Sequence, residues 1–362
     1  MDDEIPLQPR KGRGAISQPM PRFDAEARVL TDDGWHQDDP APLDTTVTVD
    51  ATKSIIARNK SPDVPFDQSI NPYRGCEHGC VYCFARPSHA YLGLSPGLDF
   101  ETRLFAKPDA AKLLRQELAR PSYRCSAIAM GTNTDPYQPI ERQWRITRSI
   151  LEVLSECDHP VSIVTKSALV TRDIDILAPM AEKGLAAVAL SVTTLDRDLA
   201  RRMEPRASTP GRRLDAIAAL SEAGIPVTVM AAPIVPALTD MELEAILEAA
   251  RDKGASRAGY VLLRLPHEVK DLFAEWLDTH APMRARHVLS LVRDMRHGDL
   301  NVSQWGERMR GDGPYADLIA HRFHLAVKRL QLDGGRRFSG LVTTRFRKPG
   351  KPAPASDQFS LF

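Results

Sequence analysis

The chain has 362 residues, of which 43% are hydrophobic and 26% charged, with a formal net charge of +1. That is the composition of a globular protein, long enough for one large barrel-type domain or two ordinary ones. No run of about 18 apolar residues exists, which excludes a helical membrane span. The chain opens on Asp2, Asp3 and Glu4 where a secretory signal is basic, so a cytoplasmic protein with no membrane partner is expected. Only 5 cysteines occur. Cys125 and Cys157 read as buried strand and helix residues rather than a disulfide pair.

Residues 1–60 lack sustained periodicity and carry Pro6, Pro9, Pro19, Pro21, Pro40 and Pro42, so a disordered or loosely docked N-terminal extension is expected. Gly12-Arg13-Gly14 within it reads as a flexible basic loop, with contact to a phosphate backbone as the alternative. From about 66 a regular alternation begins. Short apolar runs at 125–131, 160–165, 185–191, 226–232 and 257–263 read as buried parallel strands, and a first strand is added at about 66–71. Between them lie helical patterns such as Ile150-Leu151-Val153-Leu154, Ile174-Ile176-Leu177-Met180, Leu214-Ile217-Ala218-Leu220 and Leu243-Ile246-Leu247-Ala250. Several stop near a glycine, Gly184, Gly224 or Gly254. Strand and helix units of this number are too few for a closed barrel of eight and predict an α/β fold with a partial (β/α)6 TIM-like barrel over 61–265.

The loop after the first strand holds Cys76-x-x-x-Cys80-x-x-Cys83. Three thiolates so close in sequence can converge on one metal centre, and a trio leaves a coordination position open for a further ligand. In a parallel barrel the loops at the strands' C-terminal ends build the active site, so the cysteines fall where chemistry is expected. Structural zinc, with His78 as fourth ligand, is the competing reading; His78 lies between Cys76 and Cys80, where a tetrahedron with all three would be strained. Glu77 and His78 are expected to tune the centre from behind or to be plain loop residues.

Beyond about 266 the pattern changes to a mainly helical, basic C-terminal extension over 266–345, including Arg284, Arg286, Arg293, Arg296 and Trp305, expected to cover the open side of the barrel. From Arg322 onward come Lys328, Arg329, Arg336, Arg337, Arg345, Arg347, Lys348 and Lys351, which would form either a positive face for phosphates or a solvated helix and tail. Residues 346–362 read as a disordered tail on a proline-rich tether.

The cysteine spacing, with Tyr82 as the aromatic before the third cysteine, resembles the signature of the radical S-adenosylmethionine (radical SAM) superfamily. The flanking residues resemble the spore-photoproduct-lyase-like, or DNA repair photolyase-like, group. That likeness runs over roughly 66–265 and rests on Asn71 to Cys83, Thr132 to Pro139, Val164-Thr165-Lys166, Ala189-Leu190-Ser191 and Met230-Ala231-Ala232-Pro233. It implies a lyase or other radical enzyme in which Cys76, Cys80 and Cys83 hold three irons of a 4Fe-4S cluster and S-adenosylmethionine chelates the fourth. An electron from a donor such as flavodoxin or ferredoxin then yields a 5'-deoxyadenosyl radical that abstracts hydrogen from a substrate.

By the same resemblance Lys166 pairs with the methionine carboxylate, Ser191 contacts the nucleoside, Tyr82 belongs to the cofactor site, and Asn133, Asp135 and Glu141 are candidates to receive the ammonium. The structural alternatives are a strand-end lysine, a turn-forming serine and a proline-stiffened loop in which Asp135 bonds its own backbone. The chain departs from spore photoproduct lyase in carrying Thr132 where that enzyme carries a cysteine hydrogen donor, and a hydroxyl is a far poorer donor. No catalytic residue beyond the cofactor site is assigned. Tyr73, Arg74, Tyr82, Arg86, His89, Arg206, Tyr260 and Arg264 are candidates to face substrate.

The terminal Gln358-Phe359-Ser360-Leu361-Phe362 resembles the peptide by which bacterial repair proteins dock on the DNA sliding clamp, through Gln358, Leu361 and Phe362, with Phe359 replacing a leucine. Its tether of about ten residues, at roughly 3 Å each, would reach some 30 Å. The leading expectation is a cytoplasmic radical SAM enzyme acting on DNA or a DNA-associated substrate. A radical SAM enzyme on a small molecule, RNA or protein, and a non-catalytic iron-sulfur or zinc module tethered to the clamp, are the alternatives.

Overall fold

A computed structural model describes residues 8–24, 43–334 and 340–350. Among the described residues ten strands form two sheets: β1 (Thr46–Val49), β2 (Ile56–Arg58), β3 (Gln68–Ile70), β4 (Tyr73–Arg74), β5 (Arg103–Ala106), β6 (Ile128–Met130), β7 (Val161–Thr165), β8 (Ala186–Ser191), β9 (Val227–Ile234) and β10 (Arg257–Leu262). The large sheet has the order β10-β9-β8-β7-β6-β3-β2, every neighbouring pair parallel except the antiparallel β2-β3. Its six parallel strands are the five apolar runs and the first strand expected at 66–71. A three-stranded sheet, β1-β5-β4, sits beside the cysteine loop and was not anticipated.

Burial alternates along β7, β8 and β9, so one face is buried and the other partly open, and β-branched and small side chains suit that setting. Ile128, Met130, Val161, Ile163, Val188, Leu190, Val227 and Val229 are all buried. The helix Ile146–Glu156 shows how the outer layer attaches, burying Ile146, Ile150, Leu151, Val153 and Leu154. Each such side chain contributes about 1.5–3 kcal/mol when fully buried. The helix Arg197–Met203, which periodicity missed, is started by Asp196, whose carboxylate accepts from the amides of Asp198 at 2.8 Å and Leu199 at 3.1 Å.

The described part of the N-terminal region departs from its expected character at Gly12-Arg13-Gly14. Arg13, Gly14, Ala15 and Ile16 are buried, and Arg13 donates to the carbonyl oxygens of Glu101 at 3.1 Å and Leu43 at 2.5 Å and to the Thr45 hydroxyl at 3.1 Å. The segment is a packed strap, not a flexible basic loop and not a free phosphate contact. Glycine is required here, since a Cβ on Gly14 would lie 1.8 Å from the carbonyl oxygen of Gly79 in the cysteine loop.

After β10 come the helices Val269–His280, Pro282–Asp294 and Pro314–Leu330. The first two bury Phe273, Trp276, Val288 and Val292 against Val81, Tyr82, Leu199 and Met203, so this layer backs the cysteine loop. Three cations of the expected positive face are held in ion pairs. Arg322 pairs with Glu244 at 2.6 Å, Arg329 with Glu248 at 2.6 Å and Arg347 with Asp158. Arg336, Arg337 and Lys351 lie outside the described residues.

Phe346 and Lys348, expected in a disordered tail, are docked on the barrel. Phe346 sets its ring edge-on to Tyr123 and His159, with centroids 5.5 and 5.2 Å away, and the Lys348 ammonium donates to the carbonyl oxygen of Arg120 at 3.0 Å. The clamp-like Gln358, Leu361 and Phe362 lie outside the described residues. Cys157 is buried at the end of its helix, whereas Cys125 precedes β6 and is only half-buried, so it is not the strand residue expected. Among the described residues no helix is long and apolar enough to cross a membrane.

Candidate active site

The loop between β4 and β5 carries the three cysteines and is fixed from several sides. The Cys76 amide donates to Phe100 O at 2.9 Å and the Val81 amide to Met203 O at 3.1 Å. Gln138 bridges the loop, accepting from the Glu77 amide at 2.8 Å and donating to Gly75 O at 3.2 Å. Glu77 is held by Arg206 at 2.7 Å and accepts from the Thr45 hydroxyl at 2.8 Å. Behind the loop, the fully buried Arg86 donates to Cys80 O at 2.9 Å, Gly79 O at 3.2 Å and Gly97 O at 2.9 Å, and pairs with the carboxylate of Glu101. Glu101 also accepts from the amides of Gly14 and Ala15, both at 2.9 Å, which ties the N-terminal strap into the same network. Glu77 is therefore a brace.

Cys76, Cys80 and Cys83 rim one cavity of about 250 Å³ at the C-terminal ends of the parallel strands. The rest of its wall comes from Tyr82 and Phe84, from Thr132 to Asp135 after β6, Lys166 after β7, Ser191 at the end of β8, Met230, Ala232 and Pro233 of β9, Val261 to Arg264 around the end of β10, and Met309. The topology explains the convergence, since every parallel strand delivers its following loop to the same rim. Gly131 lets the β6 loop turn there: its φ is +92° and a Cβ would lie 2.0 Å from Val164 O.

Burial pushes all three thiols up, and for Cys76 and Cys80 neighbouring negative charge adds to it. Metal binding must strip those protons, which couples loading to the field of Lys166, the positive group that opposes the rise at both Cys80 and Cys83. The donor set fits a multi-iron cluster: three thiols rim a cavity, with room beyond them for a further ligand. His78, the candidate fourth zinc ligand, turns its Nδ1 to Asp135 at 3.4 Å.

The predicted cofactor residues divide into two groups. Lys166 lines the cavity; its Nζ donates to Ala232 O at 3.1 Å, lies 3.9 Å from Glu204 and sits 5.8 Å from the centre of the Tyr82 ring. Burial holds its pKa below the ordinary lysine value. Ser191, buried, also lines the cavity, as does the more exposed Asn133.

Asp135 reaches the cavity wall with its carboxylate already spent. It accepts from the Tyr137 amide at 2.8 Å, the Thr165 hydroxyl at 2.6 Å and the Lys166 amide at 2.7 Å, and faces His78. Burial raises its pKa, but His78 and these donors outweigh it and the net shift is downward. Through these contacts Asp135 links the cysteine loop to the end of β7. Glu141 is away from the cavity, bonded to Tyr73 and Arg172 and accepting from the Thr147 amide at 3.0 Å. Of the residues offered as facing substrate, only Tyr82 and Arg264 line the cavity. Tyr73, Arg86 and His89 are in the core.

Sequence reasoning missed Glu204, which organises the floor of the site. Almost fully buried, it accepts from the Thr193 hydroxyl at 2.7 Å, from the Tyr82 hydroxyl and from the buried guanidinium of Arg213, with Lys166 nearby. In sequence it closes an ordinary charged helix. The available signal was Pro205, because the residue before a proline is pushed out of the helical region, and Glu204 has φ −140° and ψ 59°.

These features define an α/β enzyme of the partial-barrel class whose site is built on a cysteine trio. The chain belongs to the radical SAM superfamily: the family model described as "Radical SAM superfamily" matches residues 70–250. An uncharacterized protein of Mycobacterium tuberculosis is 40% identical over 242 residues, 66% of this chain and 71% of that one. An uncharacterized protein of Methanocaldococcus jannaschii is 30% identical over 173 residues, 48% of this chain and 62% of that one. Among solved structures, spore photoproduct lyase complexed with dinucleoside spore photoproduct superposes with a TM-score of 0.55 at 16% identity, covering 78% of each chain. A mutant of that enzyme with bound AdoMet and the same dinucleoside gives 0.55 at 14% identity and the same coverage. The protein is a radical SAM enzyme with the fold of those structures.

Proposed function

We propose that the protein binds a 4Fe-4S cluster through Cys76, Cys80 and Cys83, cleaves S-adenosylmethionine reductively there, and abstracts hydrogen from DNA or a DNA-associated substrate. The observation that carries this reading is the cavity itself, in which three thiols and the Lys166 ammonium share an apolar chamber at the strands' C-terminal ends. The chemistry supplied by the bound group is one-electron reductive cleavage of the sulfonium, leading to hydrogen abstraction from a substrate carbon; the electron comes from a flavodoxin or ferredoxin. The chain's own residues bind and orient. Lys166 neutralises the methionine carboxylate as a compact charge, Asn133 meets the polar end of the amino acid, Ser191 borders the nucleoside, and Glu204 holds Tyr82 against Lys166. The wall from Val261 to Leu263 and Met309 excludes water from the reacting atoms.

The nucleic-acid substrate is supported by the fold shared with an enzyme solved with a dinucleoside lesion. Thr132 makes the reaction different from one that uses a thiol donor at that place: its hydroxyl lies 3.0 Å from the Asn71 side-chain amide nitrogen. The test is isotopic. Reduced, cluster-loaded protein turned over with perdeuterated oligonucleotides is expected to yield 5'-deoxyadenosine carrying deuterium by mass spectrometry. Product without label, with label arriving instead from a deuterated protein or metabolite pool, would remove DNA as the substrate.

The last five residues are proposed to tether the enzyme to the sliding clamp through Gln358, Leu361 and Phe362. Deleting 358–362 is expected to abolish clamp pull-down while leaving cofactor cleavage intact. Equal pull-down by the truncated protein would end the idea.

A further inference from the structure

One wall of the cavity carries a cation that the cofactor roles do not use. Arg264 follows β10 and lines the chamber together with Phe84 and Met309. Among the described residues it makes no ion pair; its nearest polar contact is a long one, from Nη1 to the Met309 sulfur at 3.5 Å, and its Nε is buried with no hydrogen-bond partner. Its carbon Cζ lies 5.2 Å from the centre of the Phe84 ring, and that ring is 46% exposed.

The surroundings reinforce the positive charge. Arg296 is buried beside it, bonded only to the carbonyl oxygens of Glu307 at 2.8 Å and Leu263 at 3.0 Å. Arg308 is close by and pairs with Asp63, whose charge reaches Arg264 only weakly and without a direct ion pair. Burial first, then Arg308 and Arg296, push Arg264 down to about 10, the direction expected of a guanidinium that lacks its counter-charge. Keeping an arginine half-buried and unpaired is costly, and a planar donor fork in a substrate chamber is matched by a phosphate or carboxylate that binds there.

We infer that Arg264 and Phe84 form the substrate subsite for a nucleotide unit, the guanidinium receiving a backbone phosphate and the exposed ring face stacking a base. This rests on the nucleic-acid reading above. Stacking on one aromatic and contact to one phosphate bind a single-stranded or flipped-out nucleotide with little sequence preference.

The experiment uses the full chain, cluster-loaded and anaerobic, titrated with a fluorescein-labelled single-stranded oligonucleotide over a range of salt. Arg264→Gln is expected to weaken binding about 10-fold or more and to reduce the slope of log K against log[salt] by about 0.7, one phosphate contact on a single strand. Phe84→Ala is expected to weaken binding at an unchanged slope. Arg264→Lys keeps the charge and so the slope; with Phe84→Ala it carries the test if Arg264→Gln fails to fold by circular dichroism. S-adenosylmethionine affinity is measured in parallel, and an Arg264→Gln loss there as large as the oligonucleotide loss would assign the guanidinium to the cofactor and overturn the proposal. Oligonucleotide affinity and slope unchanged in Arg264→Gln and Phe84→Ala would overturn the subsite and leave the nucleic-acid reading standing. A wild type that binds no oligonucleotide at low salt would overturn both.

Discussion

Glu101→Ala is expected to destabilise the protein by about 3–5 kcal/mol, the range for breaking a buried ion pair from one side. The carboxylate is fully buried and is the only acidic partner of Arg86 among the described residues; it also accepts the amides of Gly14 and Ala15. Removing it strands a buried guanidinium and two buried donors, each unsatisfied amide costing about 1–3 kcal/mol before relaxation. Against a typical stability of about 5–15 kcal/mol this is a large fraction. Because Arg86 holds Cys80 O and Gly79 O, the same change is expected to loosen the cysteine loop and lower the iron bound per chain after reconstitution. Thermal unfolding and iron analysis read both effects. An unchanged midpoint with full iron loading would show that the loop holds itself and that the N-terminal strap is incidental.

Lys166→Met is expected to weaken S-adenosylmethionine binding by about 2–5 kcal/mol, the cost of truncating one partner of a buried charge pair, which is roughly 30-fold or more in Kd. Methionine keeps the length and apolar stem, so packing over the Tyr82 ring is retained while the ammonium is lost. Folding stability is expected to change little, since Glu204 keeps its pairing with Arg213 and the lysine no longer has to be desolvated. Isothermal titration of the cluster-loaded variant decides. An unaltered Kd would return Lys166 to the role of a strand-end lysine bonded to Ala232 O.

The parts of the fold written in local pattern were legible. Apolar runs of six or seven residues and the helical spacings between them gave five of the six parallel strands, and the sixth, at 66–71, was placed ahead of the first helix to begin the alternation. Gly184 and Gly224, which end helices at φ +73° and +74°, were legible for the same local reason. The cysteine trio, Lys166 and Ser191 could be placed at strand ends and do meet at one cavity.

What escaped depends on contacts between distant residues. Arg13 reads as a basic loop residue until Glu101, Leu43 and Thr45 are seen around it. The bonding of Asp135 was hidden because its donors, the Thr165 hydroxyl and the Lys166 amide, lie a whole helix further along the chain. Glu204 and Arg213 sit in charged helical stretches indistinguishable from solvated faces, and only the packing of Arg197–Met203 beneath the cysteine loop buries them as a pair. In the basic C-terminal region the pairing of Arg322, Arg329 and Arg347 escaped for the same reason: their partners Glu244, Glu248 and Asp158 are scattered through the barrel sequence.

The central claim is that Cys76, Cys80 and Cys83 make this chamber a site of reductive S-adenosylmethionine cleavage. Wild type and a Cys76, Cys80, Cys83 triple-alanine variant should be reconstituted with iron and sulfide under anaerobic conditions, reduced, and given S-adenosylmethionine, with 5'-deoxyadenosine measured in the presence and absence of DNA. The account predicts 5'-deoxyadenosine from the wild type alone, and more of it with DNA. An iron-loaded, reduced wild type that releases none under either condition, or a triple variant that releases as much, would contradict it.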